Sequence, residues 1–288
     1  MPRALAGRRV TLLEMIKFSH TLFALPFALT GMVLASGGLP PGRVVFWILI
    51  AMIGARTAGM AWNRIADRHI DAKNPRTADR HLPTGKVAAT EAWALTLAGA
   101  VLTVIAAYYL NPLCLALSPV ALLALFVYPY TKRFTSFCHY FLGICLSAAP
   151  LGAWMAVTGR MEWKILPLSL AVVLWVAGFD VLYALGDLEF DHSQNLHSIP
   201  RKIGVAWSLR LAAFLHAVMF VLLLMQVLLF GLGPVYLLGL AVVAVLLIHE
   251  HSLVSPEDLS RLDAAFFTMN GVISVVVFVS VALAVWVK

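Results

Sequence analysis

The sequence predicts an all-α polytopic membrane protein, one domain over residues 1–288 built as a bundle of nine transmembrane helices. Three observations carry that prediction. Charged residues make up only 12% of the chain, roughly half of the quarter found in soluble domains. Mean hydropathy is +0.90. Apolar stretches of about 20 residues, long enough to cross a bilayer core, recur along the whole length.

Nine segments meet that length, at approximately 17–36, 44–64, 88–110, 112–130, 136–158, 164–185, 206–230, 232–249 and 264–287. Gly and Pro mark the breaks: Gly37-Gly38-Leu39-Pro40-Pro41, Asn111-Pro112 and Gly231-Leu232-Gly233-Pro234. No low-complexity linker divides the chain, hence the expectation of one domain. Arg3, Arg8 and Arg9 precede the first apolar run as they would in a signal peptide. That run is too long, however, and Ala35-Ser36-Gly37 makes a poor cleavage site.

Charge sets the orientation. With nine spans, the N-terminus shares a side with the loops after spans 2, 4, 6 and 8, and that side holds 16 of the 21 Lys and Arg residues. The other side has only Arg43, Arg160, Lys164 and Lys288, and Arg56 lies within span 2. The positive-inside rule places the N-terminus and the charged loops in the cytoplasm. The pI near 9.5 therefore needs no nucleic acid to explain it. Cys114, Cys138 and Cys145 are odd in number and membrane-embedded, so no disulfide framework or metal pattern is expected.

Of the 14 acidic residues only Glu162 falls on the outer side. In NRIADRHID, Asn63, Asp67 and Asp71 recur every four residues where span 2 leaves the membrane. Four residues turn a helix by about 400°, so the three share a face, drifting about 40° per step. The spacing returns in YALGDLEFD, where Tyr183, Asp187 and Asp191 close span 6, each offset by 120 residues from its counterpart. This pattern is consistent with a tandem duplication that sets two acidic helix ends against each other. Oxygen ligands of this kind suit Mg²⁺, which takes a few carboxylates with water and substrate phosphate. Neighbouring cations can then hold the phosphate oxygens the metal leaves free.

Each of these features also has an ordinary explanation. A charge-rich loop at a membrane surface is normally just solvated, but two copies at helix ends, each with a polar residue four positions upstream, argue against decoration. Asp180 lies about two turns deeper in span 6 than Asp187, where a carboxylate is costly. Substrate binding and a structural pairing with Arg56 weigh equally there. Tyr183 can face a cation through its ring, whereas Tyr128 reads as an interfacial tyrosine. His249-Glu250-His251 has i, i+2 spacing, which sets the two imidazoles on different faces and reads as a solvated helix end. His192 and His197 flank the second motif without implying a zinc site. The Asn270 amide in span 9 is expected to hydrogen-bond between helices.

At these residues the sequence resembles the UbiA superfamily of intramembrane aromatic prenyltransferases, whose pattern is an NxxxDxxxD segment and a second DxxxD segment. They stand here as NRIADRHID and DLEFD. NPRTADRHLPTG, VYPYTKRFT and GFDVLYALGDLEFDHSQNLHSIPRKIG extend the resemblance over essentially the whole chain. Within the superfamily it is similar to 4-hydroxybenzoate polyprenyltransferases and their menaquinone-pathway relatives. The ubiquinone branch often begins motif one with Asn-Asp, where this chain has Asn63-Arg64. KFSHTLFALPFAL, NRIADRHIDAKNPRT and LHSIP are similar to a relative proposed to act on a dihydroxynaphthoate. Both rings stay open.

The resemblance implies Mg²⁺-dependent transfer of a polyprenyl group from polyprenyl diphosphate to a ring carbon of an aromatic acid, with release of diphosphate. It implies Asp67, Asp71, Asp187 and Asp191 as catalytic acids and, with Asn63, as metal ligands. Substrate contacts are expected from Asn63, Arg68, Lys132, Arg133, Tyr183 and Asp180. Lys132 and Arg133 match a basic pair of the family, while Arg68, Arg76 and Arg80 look like any basic loop. The expected partners are the two substrates and membrane lipid, with no nucleic acid and no obligatory protein. The expected location is a bacterial cytoplasmic (inner) membrane, with the active site facing the cytoplasm. The alternative is an ion-coupled secondary transporter, whose binding groups belong near the bilayer midplane. The DGxxAR signature of phosphatidyl-alcohol transferases is absent.

Overall fold

The computed structural model describes residues 14–15, 23–263 and 268–287. Among them every regular element is helical, as hydrocarbon demands of a chain that must satisfy its backbone polar groups within each segment. The helices are α1 (Leu25–Ser36), α2 (Gly42–Asp71), α3 (Ala89–Leu110), α4 (Pro112–Thr131), α5 (Cys138–Thr158), α6 (Leu166–Ala184), α7 (Leu188–Ser193), α8 (Ile199–Phe230), α9 (Pro234–Ser252) and α10 (Asn270–Trp286). Seven stretches are long and apolar enough to span a membrane: α2 to α5, Trp163–Ser193 around α6 and α7, α8 and α9. The shorter apolar helices α1 and α10 make up the nine expected segments. The outer parts of the first and last segments, at 17–22 and 264–267, lie outside the described residues.

Three boundaries differ from expectation, and each matters for the site. Helix α2 runs on past residue 64 to Asp71, so the whole first motif sits on continuous α-helix. Span 6 does not close as one regular helix. A 3₁₀ turn at Leu185–Asp187 separates α6 from α7, so Tyr183, Asp187 and Asp191 fall in three successive elements and the shared-face argument for them fails. Helix α8 starts at Ile199 rather than 206 and is broken at Gly204, which adopts φ 79°, ψ 173°. Only glycine occupies that region without strain.

The chain gathers into two compact units, one built on Phe46–Tyr130 and the other on α1 with the described chain from Thr131 onward. In the first unit α2 and α3 cross where Gly54 and Gly99 meet. A Cβ on Gly99 would lie 2.6 Å from the Ala58 amide nitrogen, so the helices approach backbone to backbone, as small residues permit in membranes. Below that crossing, the Trp62 indole donates to the Phe126 carbonyl at 2.8 Å and packs on Trp93. These contacts hold the acidic end of α2 against α3 and α4.

Helix α6 is the core of the second unit. Leu168, Ala171, Val172, Trp175, Val176, Ala177, Val181 and Leu182 are all buried, as expected of a helix that is apolar on every side. It packs chiefly on α5 and α8. Outer faces such as Leu228, Leu238 and Ile248 are exposed, as lipid-facing positions are.

The expectation of a solvated end at His249-Glu250-His251 is overturned. Glu250 is fully buried, and its Oε1 accepts from Asn270 Nδ2 at 3.1 Å. Asn270 Oδ1 in turn accepts from Trp175 Nε1 at 2.6 Å, so the interhelical role expected of Asn270 holds. His216 Nε2 donates to the Trp175 carbonyl at 3.1 Å and its Nδ1 meets His251 Nε2 at 3.0 Å. Spacing along α9 alone misses this, because the partners come from α6, α8 and α10. The three cysteines are free thiols.

Candidate active site

In the first unit the candidate site is the end of α2. Asp67 and Asp71 are both buried, although they are the most polar residues of that helix face. Asn63 Nδ2 donates to Asp67 Oδ2 at 3.4 Å, joining the first two members of the motif. The following segment, NPRTADRHLPTG, folds as a run of turns that doubles back onto Asp71. There Arg80 Nη1 reaches Asp71 Oδ1 at 2.7 Å, and the Thr77 hydroxyl meets the same oxygen at 3.2 Å. The other oxygen, Asp71 Oδ2, is buried without a hydrogen-bond partner among the described residues.

The basic side chains sort differently from expectation. Arg68 is exposed and donates to its neighbour His69 at 3.0 Å, whereas Arg80 braces the motif. Arg64, where the ubiquinone branch often has an acid, is buried with its Nε donating to the Met15 carbonyl at 3.4 Å. Its guanidinium lies within electrostatic reach of Asp71 and Asp67. Arg76 is exposed.

In the second unit Asp187 ends the 3₁₀ turn and Asp191 lies in α7. Asp191 is buried and hydrogen-bonds Ser198, with Asp187, Lys132 and His139 within electrostatic reach. Lys132 is half-buried, and its carbonyl accepts from the His197 amide at 2.7 Å. Arg133 is exposed. The loop between α7 and α8 is pinned by Arg201, which donates to the Leu196 carbonyl at 2.6 Å and to Asn195 Oδ1 at 2.7 Å. Tyr183 is half-buried in the last turn of α6, while His192 and His197 are exposed. Deeper in α6, Asp180 Oδ2 pairs with His139 Nδ1 at 2.7 Å. Thr77, Ser198 and His139 have no counterpart in the sequence expectations. Thr77 and Ser198 stand inside the quoted motif segments, but nothing local marks His139.

Among the described residues no three Asp, Glu, His or Cys side chains converge as a ready-made metal cage. The donor set nevertheless fits a hard cation. Mg²⁺ takes one or two carboxylates and completes its shell with water and phosphate. Among the described residues Asp71 Oδ2 is buried without a donor, and with the Arg64 guanidinium in electrostatic reach it keeps a lone pair that a cation can take.

Fold and site together define a class: a helical integral membrane protein with an acidic motif at a helix end in each of its two units. The chain belongs to the UbiA prenyltransferase family, whose model matches residues 24–272. It is 30% identical over 258 residues to the 4-hydroxybenzoate octaprenyltransferase of Vibrio campbellii, covering 88% of this chain and 89% of that one. The enzyme of the same name from Methylobacillus flagellatus is 34% identical over 242 residues, covering 84% and 81%. The solved apo structure of a UbiA homolog from Aeropyrum pernix is 34% identical with a TM-score of 0.84, covering 92% of this chain and 98% of that one. The protein is thus a membrane prenyltransferase, and the transporter alternative falls.

Proposed function

We propose that the protein transfers a polyprenyl group from polyprenyl diphosphate to a ring carbon of a hydroxylated aromatic acid, using Mg²⁺. The observation that carries this reading is the divided role of the Asp71 carboxylate. One oxygen is braced by Arg80 and Thr77, and the other is buried and open. A carboxylate held this way is built to aim a single lone-pair direction at a cation.

Asn63, Asp67 and Asp71 in the first unit would hold one hard cation, and Asp187 and Asp191 in the second would hold another. Bound there, Mg²⁺ supplies Lewis-acid neutralisation of the diphosphate as it leaves. The remaining work belongs to the chain. Lys132 lies near Asp191 and serves the phosphate oxygens, and Arg133 and Arg68, each exposed in its own unit, are further candidates for phosphate contact. The apolar helices exclude water, which would otherwise capture an allylic cation. Tyr183 presents a ring face to that cation. The names of the relatives favour 4-hydroxybenzoate as the acceptor, and the charge asymmetry of the loops favours a site on the cytoplasmic side, in keeping with a bacterial inner membrane. Both units would then serve one catalytic domain.

The test is a transfer assay in membranes containing the protein, given a polyprenyl diphosphate, Mg²⁺ and either 4-hydroxybenzoate or a dihydroxynaphthoate. A C-prenylated product is expected with one acceptor, lost on chelation and in Asp67→Asn and Asp187→Asn at unchanged melting temperature. Full turnover in both variants overturns the assigned acids. No product with either ring overturns the acceptor class.

A further inference from the structure

We propose that His139 is a positioning residue that presents Asp180 as the hydrogen-bond acceptor for the hydroxyl of the aromatic substrate. The proposal rests on the prenyl-transfer reading above and adds to it the group that recognises the ring.

The two nitrogens of one imidazole meet different partners. His139 is 3% exposed, and its Nε2 lies 3.3 Å from the backbone nitrogen of Ile199. An amide N–H can only donate, so Nε2 must carry its lone pair. The ring proton of a neutral His139 is therefore on Nδ1, pointing at Asp180 Oδ2 at 2.7 Å. A backbone amide thus fixes the tautomer, and the tautomer fixes one carboxylate oxygen. Among the described residues that is the protein contact of Asp180, whose side chain is still 20% exposed. Its other oxygen, Oδ1, is left to accept a hydrogen bond from outside the protein.

The location suits a ring rather than a diphosphate. Asp180, in α6, stands seven residues before Asp187 of the 3₁₀ turn, roughly 10 Å further into the span. The diphosphate belongs with the acids at the helix end, and the allylic carbon and the attacking ring belong deeper. His139 also ties the two levels together. Ile199, which it holds, follows Ser198, whose side chain hydrogen-bonds Asp191. Acceptor and diphosphate acids are thereby held by consecutive residues at the start of α8. A phenolic O–H donating to a carboxylate makes a strong, charge-assisted bond and enriches the ring carbons ortho to the oxygen, where an allylic cation attacks.

His139 also has a plainly structural task, because it satisfies the first orphan amide of α8. Pro200 has no N–H and the Arg201 amide goes to Ser198 Oγ at 3.4 Å. The test must separate the two tasks. Binding of 4-hydroxybenzoate and of benzoate, which lacks the hydroxyl, is measured on the purified protein in detergent, together with steady-state KM for both substrates.

Wild type is expected to prefer the hydroxylated acid by about ten-fold or more, the scale of a hydrogen bond to a charged group. Asp180→Asn and His139→Phe should bring the preference to within about two-fold and leave KM for the prenyl diphosphate unchanged. His139→Gln, which keeps one donor and one acceptor, should restore most of it. If the variants weaken both acids equally, or raise KM for both substrates together, His139 is only a helix cap. Should His139→Phe fail to fold, the near-isosteric Asp180→Asn decides alone. Absence of transfer in wild type overturns the proposed function. Transfer in wild type with an unaltered hydroxyl preference in Asp180→Asn overturns this inference and leaves the function standing.

Discussion

Arg80 holds its Nη1 2.7 Å from Asp71 Oδ1, closing the loop after α2 onto the last residue of that helix. Thr77, from the same loop, fills the remaining direction at that oxygen. The carboxylate is therefore oriented from one side only, with Oδ2 left open. The loop is part of the acidic motif rather than a solvated link to α3.

Removing Arg80 should disturb metal use as well as stability. Its side chain is 24% exposed but that of Asp71 only 5%, so the substitution strands a buried carboxylate and should cost about 1–3 kcal/mol. Groups that orient a metal-binding carboxylate typically matter about 10–100-fold for metal affinity or activity. For Arg80→Ala we expect a loss of that size, partly recovered at high Mg²⁺, with Arg80→Lys intermediate. A Mg²⁺ titration of initial rates checks it. Arg68→Ala, an exposed position, should change the Mg²⁺ requirement far less.

The crossing of α2 and α3 gives a second expectation. A Cβ at Gly99 would stand 2.6 Å from the Ala58 nitrogen and 2.7 Å from the Gly54 carbonyl, atoms of a helix backbone that cannot swing aside. Gly99→Val should therefore cost about 1–3 kcal/mol, the usual penalty of overpacking, read as a lower melting temperature in detergent. Because α2 carries Asp67 and Asp71, transfer activity should fall with it even below the melting temperature.

The spans and the acidic residues are readable from sequence because hydrocarbon leaves the chain few choices. Length, hydropathy and a four-residue spacing report directly on helices. The parts that escape such reading depend on packing between segments distant in the chain. His139 meets Asp180 across 41 residues, through the packing of α5 on α6. Glu250 is buried by His216 and Asn270, so the polarity of its own neighbours misleads. Arg80 looked like any basic residue because a loop of turns has no period to read. The 3₁₀ turn before Asp187 breaks the helical register on which the match between the two motifs depends, although the spacing in sequence is kept.

Gly204 supports a third prediction. With φ 79° and ψ 173° it sits where a side chain is strained, yet a Cβ there would touch nothing within 4 Å. Any cost of Gly204→Ala is then backbone alone, about 1–3 kcal/mol. The break separates the first turn of α8, which carries Ser198 and Ile199, from the rest of the helix. A variant that straightens the break should shift that turn and lower kcat as well as the melting temperature. Unchanged values of both would show that the break is idle.

The buried network of Trp175, Asn270, Glu250 and His216 supports the fourth. Asn270→Leu removes the acceptor of the Trp175 N–H and a donor to Glu250 Oε1. Two groups stranded in a soluble core would cost about 1–3 kcal/mol each. Interhelical hydrogen bonds in membranes average nearer 0.6 kcal/mol, because the unfolded chain also finds partners there. A total of about 1–3 kcal/mol is therefore expected, above that of Ser280→Ala, whose hydroxyl bonds only back to Val277 of its own helix. Glu250→Gln should behave in the opposite way. Among the described residues Glu250 Oε2 has no hydrogen-bond partner, and its approach to His216 Nδ1 is 3.9 Å, too long for one. Glutamine keeps the oxygen that serves Asn270 and removes the cost of a buried carboxylate. Thermal unfolding of Glu250→Gln in detergent should begin no earlier than that of wild type. A clear loss of stability would show that the carboxylate, rather than its shape, holds α6, α8, α9 and α10 together.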